Sequence, residues 1–171
     1  MVVFLIGMPA CGKTSIGKRL AKKLQFTFLD LDHHLADIEK KSVATIFNEQ
    51  GESFFRELEA KYLKEISNTS TNTIISVGGG TPCFHNNLPF MLSAGTVFYL
   101  NTSAETLFLR LKEDTKRPMF LGLTQEQIKE QINSLLHQRE VFYLQAHHTI
   151  NTAHKSDDAI VEKMSSIVSA D

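Results

Sequence analysis

The sequence predicts an α/β fold in which helices cover both faces of a parallel sheet. Three observations lead there. Short apolar runs of strand length alternate along the chain with longer stretches of helical period. The first run, Met1 to Ile6, is apolar throughout, as a strand buried on both faces must be. It breaks at Gly7 into a short loop, and a helical pattern follows from Thr14.

In chain order, Thr14 to Leu24 forms a helix with Ile16, Leu20, Ala21 and Leu24 on one stripe and lysines opposite. Phe26 to Leu29 is a second strand. The pattern from Leu35 to about Ile66 is helical, broken near Lys41-Ser42 and at Gly51; Ser42 suits an N-cap and Gly51 a helix end. Asn68 to Asn72 is a loop. Ile74 to Val77 is a third strand that runs into Gly78-Gly79-Gly80, and Thr96 to Leu100 a fourth. Helices open at Thr102-Ser103-Ala104-Glu105, running to about Glu113, and at Thr124-Gln125-Glu126-Gln127, running to about Arg139. Both starts have capping-box character. His148 to Ile150 is a weak last strand, and Asp157 to Val168 the closing helix. Asp114 to about Leu123 carries no element of its own between two helices, so a mobile lid is expected there.

A length of 171 residues fits one domain. With 42% hydrophobic and 22% charged residues and a net charge of −1, the chain has the balance of a soluble globular protein. No general attraction to nucleic acid or membrane is expected from that charge. Two cysteines, Cys11 and Cys83, are too few for a disulfide scaffold. The apolar start lacks a basic leader and is too short for a signal segment. The expectation is a cytoplasmic monomer with reduced thiols.

Gly7-Met8-Pro9-Ala10-Cys11-Gly12-Lys13-Thr14 satisfies G-x-x-x-x-G-K-[ST] between a predicted strand and a predicted helix. Its glycines let backbone N–H groups turn inward around phosphates, and the helix N-terminus adds partial positive charge. Lys13 can reach the β- and γ-phosphates, and the Thr14 hydroxyl can ligate Mg²⁺. The nucleotide-binding candidates are therefore Gly7, Ala10, Cys11, Gly12, Lys13, Thr14 and Ser15. The motif points to a nucleoside triphosphate without saying what is done with it.

Asp30-Leu31-Asp32 closes the second strand; two apart on a strand, both carboxylates can face the crevice at the sheet's C-terminal edge. One can serve Mg²⁺ through water and the other can accept a hydroxyl proton; a solvated, helix-capping acidic turn is the alternative. Arg56 and Glu59 share a helix face, as a binding pair or an ordinary surface ion pair. Gly78-Gly79-Gly80 after a strand forgoes side-chain packing for close backbone access, unless it is only a flexible turn.

The order Gly-x-x-x-x-Gly-Lys-Thr, Asp-x-Asp, Phe-Arg-x-x-Glu, Gly-Gly-Gly, Arg-Pro and a late Arg resembles the shikimate kinase family, from Phe4 to about Tyr143. The resemblance implies a three-layer P-loop kinase fold with a five-stranded parallel sheet. It implies transfer of the ATP γ-phosphate to the 3-hydroxyl of shikimate, a step toward aromatic amino acids. It associates Asp30 with Mg²⁺, makes Asp32 the candidate base, and assigns the acceptor carboxylate to Arg56 and Arg139. Gly78, Gly79 and Gly80 would line the acceptor pocket, Arg117 would reach the phosphates from the lid, and Arg110 would lie near the adenine. Lys13, Asp32 and Arg117 are thus the catalytic candidates. Cys11 departs from the small Ser or Gly more usual there and places a thiol beside the phosphate loop.

Two other readings stay open at this level. One is a related kinase for gluconate or a nucleotide. The other is a nucleotide switch or non-catalytic nucleotide-binding domain, though no Asn-Lys-x-Asp guanine motif occurs. His33-His34 and His147-His148 lack zinc-motif spacing. Phe47, Phe54 and Phe108 read as core packing, and Lys22-Lys23 and Lys40-Lys41 as exposed faces.

Overall fold

Strands β1 (Val2–Ile6), β2 (Thr27–Asp30), β3 (Thr73–Ser76), β4 (Thr96–Asn101) and β5 (His148–Asn151) lie side by side in the order β2-β3-β1-β4-β5, every pairing parallel. The computed structural model describes residues 1–113 and 120–170. β1, β3 and the middle of β4 are buried throughout, which explains their uninterrupted apolar and β-branched sequence.

Each crossover carries helices: α1 (Lys13–Leu24), α2 (Leu31–Glu39), α3 (Val43–Thr69), α4 (Asn87–Ala94), α5 (Ala104–Leu111), α6 (Gln125–Tyr143) and α7 (Asp157–Val168). Their starts are written in the sequence. Ser42, Ser103 and Ser156 each accept a backbone N–H three residues on, and Thr124 with Gln127 forms a complete capping box. Gly51 interrupts α3 with φ 83° and ψ 173°, so the segment before it is a separate helical turn set at its own angle.

Three expectations need correction. The second strand ends at Asp30 and α2 begins at Leu31, four residues before the predicted start. Asp30 is extended (φ −104°, ψ 118°) and its carboxylate caps α2 by accepting the His33 N–H at 3.4 Å. Asp32 therefore lies in the first turn of a helix and does not share a strand face with Asp30. The single turn Thr81–Cys83 and α4 were not expected; Asn86, at φ 55°, opens α4 without a side-chain cap. Helix α5 stops at Leu111, short of Glu113, and α6 continues past Arg139 to Tyr143.

Because β1 sits between β3 and β4, the chain turns outward in opposite directions from it. The loops after β1, β2 and β3 thus open along one edge of the sheet, where such folds bind ligands.

Candidate active site

The loop after β1 is held in a shape that its residues dictate. A Cβ on Gly7 (φ 141°) would stand 2.9 Å from the Leu100 carbonyl oxygen and 3.0 Å from Cys11 Sγ, so only glycine fits. Gly12 (φ 103°) opens α1. Lys13 Nζ donates to the carbonyls of Gly7 at 2.9 Å and Met8 at 3.0 Å, while Arg110 Nη1 donates to the Ala10 carbonyl at 2.9 Å. Ser15 Oγ donates to Asp157 Oδ2 at 2.9 Å, bringing the N-terminus of α7 to the same rim. The cleft beside it, about 490 Å³, is lined by Lys13, Thr14, Ser15, Asp30, Arg110 and Asp157 among others. Cys11 does not present its thiol there. It is 1% exposed and packs into the core, with Lys13 Nζ 3.7 Å from its Sγ, and it does not line the cavity.

Thr14 Oγ1 donates to Asp30 Oδ2 at 2.9 Å. A hydroxyl and a carboxylate oxygen this close at a phosphate cradle form the hard-oxygen donor set that Mg²⁺ takes alongside water and phosphate. The residues present fit that ion.

A second cavity of about 440 Å³ adjoins the first and shares Asp32, Gly78 and Gly79 with it. Its walls bring together Arg56, Glu59, Arg139 and Gly80, residues far apart in sequence, with Val43, Phe47, Phe55 and Phe120 on the apolar side. The Arg56–Glu59 pair is no surface ion pair: Arg56 is 7% and Glu59 1% exposed. Arg56 Nη1 donates to Glu59 Oε2, and its Nε and Nη2 donate to Glu52 Oε1 at 3.2 and 2.9 Å. Glu59 also accepts the Thr81 hydroxyl. Burial raises the Glu59 carboxyl above its usual value, against Arg56, Thr81 and Arg139 pulling it down. Burial alone would lower the Arg56 guanidinium; the carboxylates of Glu59 and Glu52 outweigh it and keep it charged.

The three glycines are each fitted against a different side chain. A Cβ on Gly78 would lie 2.7 Å from Glu59 Oε1 and 3.0 Å from Asp32 Oδ1. On Gly79 it would meet Pro9 Cδ at 2.9 Å and Arg139 Nη1 at 3.1 Å, and on Gly80 it would meet Arg56 Nη2 at 2.7 Å. Close approach, rather than a flexible turn, accounts for the run. Tyr143 steadies it by donating its hydroxyl to the Gly79 carbonyl.

At the junction of the cavities stands Asp32. Its Oδ1 has no hydrogen-bond partner among the described residues. Burial, then the carboxylates of Glu59 and Asp30, push its pKa from 3.8 up to about 7, with Lys13 and Arg56 opposing. A half-buried carboxylate with one buried, unpartnered oxygen, titrating near neutrality, is suited to accept a proton.

Arg117 and most of the expected lid lie outside the described residues; of that segment, Phe120 is buried and forms part of the second cavity. The sequence weighed Glu59 only as the partner of Arg56 and gave it no site role of its own. Phe47 was assigned to the core and also lines the acceptor cavity. Thr81 and Asp157 had no local signal.

The family model described as shikimate kinase matches residues 9–169. A shikimate kinase of Bacteroides thetaiotaomicron is 38% identical over 156 residues, 91% of this chain and 89% of that protein. Shikimate kinase 2 of Photorhabdus laumondii is 39% identical over 171 residues, 98% of this chain and 95% of that one. The crystal structure of the shikimate kinase from Bacteroides thetaiotaomicron superposes with a TM-score of 0.93 at 34% identity, over 99% of this chain and 98% of that one. The shikimate kinase of Acinetobacter baumannii, solved in complex with shikimate, gives 0.90 at 29% identity, over 99% and 93%. With a phosphate loop, a half-buried neutral-range carboxylate and paired arginines in the geometry just described, the chain belongs to the shikimate kinase family.

Proposed function

We propose that this chain transfers the γ-phosphate of ATP to the 3-hydroxyl of shikimate. The observation that carries the reading is the meeting of two cavities at one carboxylate. One is built for phosphates, the other offers two buried arginines and an apolar wall, and Asp32 belongs to both.

Arg56 and Arg139 bind the acceptor carboxylate, for which a planar guanidinium fork is the matching donor. Val43, Phe47 and Phe120 exclude water from the apolar side of the ring. The acceptor hydroxyl then lies against Asp32. As its oxygen bonds to the γ-phosphorus, Asp32 takes the hydroxyl proton and the bond to the β,γ-bridging oxygen breaks, releasing ADP. Lys13 and the backbone N–H groups of the non-proline residues of the phosphate loop stabilise charge spreading over the transferred group. Thr14 and Asp30 would hold Mg²⁺, which supplies charge neutralisation at the phosphates when bound. Arg110 borders the adenine side. We assign Arg117 to the phosphates, and the protein to the cytoplasm as a monomer; among the described residues no helix is long and apolar enough to cross a membrane.

A spectrophotometric ADP-release screen over shikimate, gluconate and nucleoside monophosphates tests the assignment. Shikimate alone should raise turnover well above ATPase background. A stronger response to gluconate or a nucleotide would assign the second cavity to another acceptor, and no response at all would leave a nucleotide-binding module.

A further inference from the structure

Phe84 is a large apolar residue left 37% exposed on the turn that follows the three glycines. Its ring is not core packing. The Arg56 Cζ lies over it at 4.5 Å from the ring centroid, closer than to Phe55 at 5.3 Å or Phe47 at 5.8 Å. All three distances fall within the range in which a guanidinium is attracted to a ring face. Phe55 is a buried core residue and Phe47 packs partly into the core, whereas Phe84 meets Arg56 from the solvent side.

The turn that presents it is fixed. Cys83 N–H donates to the Gly80 carbonyl at 2.9 Å, Asn87 N–H to the Phe84 carbonyl at 2.9 Å, and the fully buried Asn87 side chain to the Thr81 carbonyl at 3.0 Å. Thr81 in turn donates to Glu59, which holds the same guanidinium. The turn therefore meets Arg56 twice, through Thr81 and Glu59 and through the Phe84 ring over which its Cζ lies.

Arg56 has five N–H groups. Among the described residues, Glu52 and Glu59 take three, leaving one on each terminal nitrogen. An aromatic ring beneath the guanidinium carbon occupies none of these donors. It stops the group from tilting and keeps water off its face, so the two remaining N–H groups keep a constant aim.

We infer that Phe84 is a positioning residue for acceptor binding, acting by fixing the plane of the Arg56 guanidinium. The inference rests on the functional reading above, which gives Arg56 the acceptor carboxylate.

The test is steady-state kinetics on full-length Phe84→Leu and Phe84→Met, which keep apolar bulk without a ring, and on Phe84→Tyr, which keeps the ring. The Leu and Met variants should raise KM for shikimate about fivefold to tenfold, with kcat and KM for ATP changed less than about twofold. The Tyr variant should stay within about twofold of wild type throughout. Wild-type KM for shikimate in the ringless variants overturns the inference. So does a parallel loss in kcat and both KM values, or a Tyr variant as impaired as the Leu variant; each would make the side chain a structural filler. If wild type itself shows no shikimate-dependent ADP release, the functional reading fails and this inference falls with it.

Discussion

Asp32 is held where its charge is least welcome, and that sets activity against stability. Its pKa is about 7 in the fold against 3.8 outside it, so the native state keeps a proton that the unfolded chain gives up. The group's contribution to stability is full below about pH 4, declines through the window up to pH 7, and is gone above it. Asp32→Asn should therefore leave stability unchanged near pH 4 and raise it at pH 8, by up to about 4 kcal/mol. Urea unfolding at the two pH values measures this. The same variant should lose at least tenfold in kcat, because an amide is a far poorer base. In wild type, kcat/KM for the acceptor should rise with pH through about 7 and level off; a profile flat from pH 5 to 9 would remove Asp32 from proton transfer. Arg139→Lys should cost about 1.5–3 kcal/mol in kcat/KM for shikimate with little change toward ATP, since lysine keeps the charge and loses the fork. The placement of Lys13 and Thr14 at the cleft could be read directly from the sequence because it follows from eight consecutive residues. The behaviour of Asp32 could not, because its burial and its anionic neighbours come from α2, α3 and the loop after β3.

At the level of elements, what was legible had a local cause. Ser42 and the capping box at Thr124 placed the starts of α3 and α6 to within a few residues, whereas α5 is capped by Ser103 and not by a box opening at Thr102. The start of α2 was misplaced because the strand reading was carried through Asp32; the alternative, a helix-capping acidic turn, is what Asp30 forms. Helix α4 escaped because its first residue follows an uncapped left-handed Asn and its buried positions, Asn87, Leu88 and Met91, make a faint stripe. The break at Gly51 was legible and has a measurable cost. There is open space where a Cβ would go, so Gly51→Ala adds no clash, only the strain of a positive φ. It should destabilise by about 1–3 kcal/mol in a chemical melt. Because Val43, Ala44, Phe47 and Asn48 reach the acceptor cavity from beyond that break, KM for shikimate should also rise while KM for ATP does not.

The molecule as a whole is closed by its last helix. α7 packs on α1, the helix that follows the phosphate loop, burying Ile160, Val161, Met164 and Val168. The ion pairs along that seam, Arg19 with Asp157 and Asp158 and Lys23 with Glu162, are solvent-exposed and worth under about 1 kcal/mol each. The apolar residues are worth far more, at about 1.5–3 kcal/mol apiece. A chain ending at Ser156 should fail to give a cooperative unfolding transition, whereas Arg19→Ala should melt close to wild type.

The three glycines constrain how this enzyme could ever be redirected to another acceptor. One faces Asp32 and Glu59, one Arg139, one Arg56, and none has room for even a methyl group. Enlarging any of them dismantles the chemistry before it reshapes the pocket. Arg56 and Glu59 are tied to each other and, through Thr81, to the turn that follows that run. What can vary is the short segment ahead of Gly51, which touches the acceptor cavity and not the phosphate loop. Libraries aimed at new acceptors belong at Val43, Ala44, Phe47 and Asn48, and should return active variants there while the glycine positions return none.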